Sequence, residues 1–103
     1  MSLTNSQTAR QFVHDTDHTT HYGATHFHVR DSKLFSYAME IAHYDPTNPS
    51  LADSIFLSCD REDIRRASVT TYSHLRQLEA TARAAGYIWV PSIGQFGAWI
   101  REG

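Results

Sequence analysis

A single cysteine, a single lysine and five scattered glycines already narrow what this chain can be. Cys59 has no partner for an internal disulfide, so nothing points to an oxidising compartment. No apolar run approaches the roughly 20 residues of a membrane span, and the N-terminus has no apolar signal core. The expected location is therefore the cytoplasm, with no membrane partner. Without clustered glycines there is no phosphate-cradling loop. Lys33 and eight arginines do not outweigh the acids, and the formal charge is −2 with neutral histidines. Nonspecific nucleic-acid binding wants a positive excess on one face, so the composition argues against it. Seven histidines make that balance conditional, because protonating them in mild acid reverses its sign.

What is present has the composition of a folded domain, 41% hydrophobic and 19% charged. At 103 residues it is one domain, which can bury roughly two-thirds of its unfolded surface without disulfides or structural metal. Met1–Leu3 and Glu102–Gly103 resemble residues left by an expression vector and carry no functional weight. Residues 1–23 read as a polar N-terminal segment, and residues 24–103 as a single α+β domain. Within the first, "NSQTARQFVHD" suits a short helix capped by Asn5 or Ser6, with Ala9, Phe12 and Val13 turned inward.

From residue 24 the period becomes two. "ATHFHVR" alternates Thr25, Phe27 and Val29 against Ala24, His26, His28 and Arg30, the pattern of a strand with one buried face. "KLFSYAMEIAHYD" alternates as well, and Asp31-Ser32 between them predicts a hairpin. Hydrophobic matching favours a three-residue loop over Asp31–Lys33, which pairs Val29 with Phe35 and Phe27 with Tyr37. His26 and His28 would then share a face with Ser36, Ala38 and Glu40. "DPTNPS" is a loop, "SIFLSC" a third and more central strand, and "DREDIRR", six of seven residues charged, a solvated connection. "TTYSHLRQLEATARAAG" has helical period: Leu75, Leu78, Ala82 and Ala85 form a stripe edged by Tyr72, Thr70 or Thr71 caps it, and Gly86 ends it. "YIWV" and "FGAWI" make a second hairpin. The predicted order is β-β-β-α-β-β, a mainly antiparallel sheet with one long helix packed on one face and a short N-terminal helix before it.

Five of the seven histidines fall within residues 14–29, "HDTDHTTHYGATHFHV". The expected reading of the strand pair is an outward polar face. A metal site is the competing one, because His-x-His on a strand aims two imidazoles the same way and the favoured register sets Glu40 diagonally from His26. No further ligand pattern completes it, and no cofactor is implied. His14, His18 and His21 lie in a Thr/Asp-rich stretch read as a lead-in. Cys59, closing an apolar strand, reads as an inert core thiol rather than a nucleophile. Ser73 and His74 point about 100° apart on a helix and are poorly placed to share a proton. Trp89 and Trp99 read first as core; either one, if exposed, would be a binding anchor, with Arg30 a third candidate contact.

"LFSYAMEIAHYD" followed by "SVTTYSHLRQLEATARAAG" resembles small phage and mobile-element proteins of unknown function. Tyr37, Ala38, Ile41 and Ala42, then Thr70, Thr71 and His74, carry the resemblance over roughly residues 34 to 90, half the chain. It implies an accessory or inhibitory protein acting through contact, and no catalytic residues. The sequence therefore points to a binding module with an unidentified protein partner, compatible with a homodimer and without a catalytic signature. The alternatives are a small metal-binding protein or metal-dependent hydrolase using His26 and His28, and a nucleic-acid-binding accessory.

Overall fold

A computed structural model describes residues 3–14 and 21–101. The chain runs α1 (Asn5–His14), β1 (Tyr22–Ala24), β2 (Phe27–Arg30), β3 (Lys33–Ser36), β4 (Met39–His43), a 3₁₀ turn (Pro49–Leu51), β5 (Ile55–Leu57), α2 (Arg61–Ala67), α3 (Val69–Ala84), β6 (Tyr87–Val90) and β7 (Ala98–Arg101). The seven strands among the described residues form one antiparallel sheet in the order β1-β2-β3-β4-β5-β7-β6. The α+β class and the long helix are as expected; the strand count is higher and α2 is new. His18 lies outside the described residues.

The helices follow local chemistry. Thr4 caps α1: its Oγ1 accepts from Gln7 N at 3.1 Å while Gln7 Oε1 accepts from Thr4 N at 2.9 Å, a capping box one residue ahead of the expected cap. The segment read as a solvated connection is α2, capped by the Asp60 side chain. Glu62 and Asp63 sit in its first turn and Arg65 and Arg66 in its last, each charge opposing the helix dipole. Ser68, not Thr70 or Thr71, caps α3 by accepting from Thr71 N. Leu75, Leu78 and Ala82 face the sheet fully buried, and α1 packs beside α3 with Ala9, Phe12 and Val13 in the same core. Burying each such leucine contributes roughly 1.5–3 kcal/mol. The Tyr44 hydroxyl donates to Phe12 O at 2.6 Å, tying the end of α1 to the sheet.

The first strands depart from the alternation. What reads as one strand over 24–30 is two, β1 and β2, folded at Thr25-His26. The next is also two, because Tyr37 takes φ +56° and turns β3 into β4. The β2–β3 loop has two residues, not three: Asp31 and Ser32 both have positive φ (53° and 69°), as the favoured hairpin turn requires. Val29 therefore pairs with Leu34, and Phe27 with Ser36. Directly paired residues share a face, so Ser36 points into the core and Phe35 away from it. A bulge opposite Leu34 and Phe35 makes Ile41 an extra residue, and both Ile41 and Ala42 are buried.

Candidate binding groove

The sheet carries Phe27, Val29, Leu34, Leu57 and Trp99 on its helix-covered face and His28, Phe35, His43 and Phe56 on the other. Each candidate residue can be placed on one of these faces. His26 sits exposed in the β1–β2 turn, its ring 5.9 Å from Tyr37, whereas His28 lies on β2 stacked on Phe35 at 5.2 Å. The shared direction expected of the pair is absent, because the strand is broken between them. Glu40 pairs with Phe35 on β4; its carboxylate accepts from the Ser58 hydroxyl and lies 3.2 Å from His43 Nδ1. Among the described residues, no group of three or more His, Cys, Asp or Glu side chains could hold a metal ion. His43 meets both Ser58 and Glu40 through the same Nδ1, so the three do not form a linear proton relay. The Cys59 thiol donates to Glu40 O at 3.4 Å, and burial with the nearby Glu40 charge pushes its pKa up, away from a reactive thiolate.

Inside the sheet, Ser36, Thr71 and His74 form a buried polar network. The Ser36 hydroxyl donates to Thr71 Oγ1 at 2.9 Å and lies 2.7 Å from His74 Nδ1. With that proton given to Thr71, Nδ1–H of His74 donates to Ser36. His74 stacks on Phe27 at 4.4 Å, and burial, with His26 nearby, holds its pKa below the ordinary histidine value. Tyr37 also reaches this corner of the fold, its ring 6.4 Å from that of His74.

Arg30 and the two tryptophans belong to different surfaces. Arg30 is exposed beside His28, its guanidinium 5.3 Å from the Phe35 ring centre. Trp89 and Trp99, paired across β6 and β7, lie under the helices and floor a groove of about 380 Å³. Neither is an exposed anchor: Trp99 is buried and Trp89 half-buried. Trp99 Nε1 donates to Glu79 Oε2 at 2.9 Å, and Arg61 makes a bidentate pair with the same carboxylate, Nε to Oε1 at 3.2 Å. That pairing makes the Arg61 guanidinium more basic. Its plane also lies over Trp89, 4.5 Å from the ring centre. Gly97 permits the packing, since a Cβ there would overlap the Trp89 ring. Four segments thus lock one rigid floor.

Arg76 and Arg83 stand on the rim. They are seven residues apart on α3, so they share a face about 10 Å apart along the axis. Arg83 lies over Trp99 at 5.2 Å, and Tyr72 and Ala80 complete the wall. Among the described residues no carboxylate pairs with Arg76 or Arg83; the ion pairs are His21–Asp31, His43–Glu40, Arg61–Glu79 and Arg65–Glu62. Glu79 is the single carboxylate on α1 and α3 together, and it is already occupied. The helix layer is therefore basic on a chain whose net charge is negative. The Arg76–Arg83 spacing on one helix was a visible signal in the sequence; what it could not show is that Arg61 of α2 and the two tryptophans meet them in one groove.

Comparison of the chain with protein-family models, with curated proteins and with solved structures finds no match in any of the three. No helix among the described residues is long and apolar enough to cross a membrane.

Proposed function

We propose that the protein is a binding module that holds an acidic segment of a protein partner in the Arg76–Arg83 groove. It would act in the cytoplasm as an accessory protein of the phage or mobile-element kind that the strand–helix resemblance implies. One observation carries this reading: two guanidiniums without carboxylate partners frame a concavity whose floor is held by the Arg61–Glu79–Trp99 bonds. Such a site is pre-organised, since the groups that meet the ligand need little reordering. Exposed arginines beside aromatic side chains are the composition of binding hot spots.

Both tryptophans of the chain line this groove, so intrinsic fluorescence reports its occupancy. Titration with a poly-glutamate peptide at low salt should change tryptophan emission saturably. Replacing Arg76 and Arg83 together by Ala should weaken that binding by about tenfold or more. An unchanged spectrum, or equal binding by the double variant, would overturn the reading. Tighter binding of an oligothymidylate, with a steep loss as salt rises, would replace the protein partner by single-stranded nucleic acid.

A further inference from the structure

The two edges of the sheet are unequal. β1 is three residues long, and its central Gly23 has φ +109°, where an added Cβ would strike Phe27 O at 2.6 Å and His28 Cα at 2.7 Å. A short edge in a conformation reserved for glycine is a poor template for another strand. β6 is the opposite. Tyr-Ile-Trp-Val contains no charge, proline or glycine, and β7 is its only strand neighbour among the described residues. Its outer face adds Ile88, 44% exposed, beside Ile100 of β7. Folded monomers guard such edges with lysine, proline, a bulge or a cover, and β6 has none of the first three.

We infer that β6 pairs antiparallel with β6 of a second copy about a two-fold axis, joining two sheets into one. The occupant follows from the edge itself. Unpaired backbone N–H and C=O groups call for a strand, and an all-apolar strand is complemented by its own sequence without opposing like charges. Residues directly opposite must share a face, so the axis passes through Ile88 or through Trp89. The first sets Ile88 against its equivalent and Tyr87 against Trp89; the second sets Ile88 against Val90. Either register matches apolar with apolar. Two cations lie beside the strand without belonging to it: Arg61 is held by Glu79, and Arg101 of β7 lies over the Tyr87 ring. Because β1 cannot act as the complementary edge, pairing closes as a two-fold dimer instead of growing into a filament. Each β6 also supplies Trp89 to the floor of the arginine groove, so the dimer presents two grooves side by side and binds a repeated acidic partner with avidity. The dimer itself does not depend on what fills the groove.

Light scattering on the eluting full-length chain, over a concentration series, should give twice the monomer mass. Ile88→Lys, a change at an exposed side chain, should weaken the dimer at least about tenfold, while Ile88→Val keeps it. Amide exchange at Ile88–Val90 in the unaltered chain should slow as concentration rises, with no matching change in β1, and this readout stands even if the lysine variant misfolds. A monomer at every concentration, a dimer indifferent to Ile88→Lys, or concentration-independent exchange in β6 would each overturn the inference. Loss of poly-glutamate binding with the dimer intact would sink the groove reading alone.

Discussion

Arg61 and Arg30 lie over aromatic rings on opposite faces of this sheet, and they have different environments. Arg61 lies over Trp89 with its donors spent on a buried carboxylate that also receives Trp99. Arg30 lies over Phe35, exposed, beside a stacked histidine and with no ion pair to a carboxylate among the described residues. A ring alone does little to hold a guanidinium, since an exposed cation–π contact is worth about 0.5–1 kcal/mol. A ring together with a fixed acceptor makes the arginine part of the frame. The carboxylate on the helix-covered face thus builds Arg61 into the frame, and the charges left over on its rim, Arg76 and Arg83, are the ones available to a partner.

The strongest way to break this contrast is to remove the acceptor. Glu79→Ala leaves Trp99 Nε1 without its partner and Arg61 without its counter-charge. Losing one member of a buried pair costs several kcal/mol; because Arg61 is about one-third exposed, we expect about 2–3 kcal/mol, read from urea unfolding. A loss below about 0.5 kcal/mol would show that the network is not a structural floor. Gly97→Ala tests the same floor from below. The added Cβ would overlap the Trp89 ring, and the φ of +92° is unfavourable to alanine. Overpacking with that backbone strain should cost about 2 kcal/mol and shift tryptophan emission, whereas Gly86→Ala, with open space around its Cβ, should leave emission unchanged.

How much of this was legible without the fold depends on whether the deciding partner was local. α1, α3 and the β6–β7 hairpin follow from periodicities contained within each segment. The β2–β3 register does not. Hydrophobic matching placed Phe35 inside, but Ser36 takes that position because Thr71 and His74, 35 and 38 residues away, satisfy its hydroxyl. A polar residue can face a core once its hydrogen bonds are supplied, and no local pattern announces that supply. α2 was missed for the reverse reason: one apolar residue, Ile64, anchors it, and its signal was the acid-first, basic-last order of charges behind Asp60. Of the groove, Trp89 and Trp99 were visible as candidates, but their role as floor depends on Arg61 and Glu79, which come from the helices α2 and α3.

The buried network at the other end of the helix-covered face gives a subtler, pH-dependent test. Burial first, then the nearby His26, lower the His74 pKa, so the folded state binds that proton less readily than the unfolded chain. Stability from this group is fully present above the unfolded histidine value near 6.5 and is lost as pH falls through it toward the lower folded value. Unfolding free energy should therefore drop on acidification from pH 7.5 to 5. His74→Gln should flatten part of that drop even if it lowers stability at pH 7.5. Equal slopes for the two proteins would show that His74 is not the titrating group.

Arg30→Ala should have the smallest effect, and it completes the contrast. The guanidinium is exposed, its contact with Phe35 is a rim interaction, and no acceptor is orphaned when it goes. Stability should change by no more than about 0.5 kcal/mol, and poly-glutamate binding in the groove should be unaltered because Arg30 lies on the opposite face. Arg61→Ala, by comparison, removes a cation over a ring but also leaves the Glu79 carboxylate, itself buried, with only Trp99 as donor. If the two substitutions cost the same, stacking on an aromatic ring would account for both arginines and the carboxylate would be incidental. If Arg61→Ala costs several times more, the difference measures what the fixed acceptor adds to a cation on a ring.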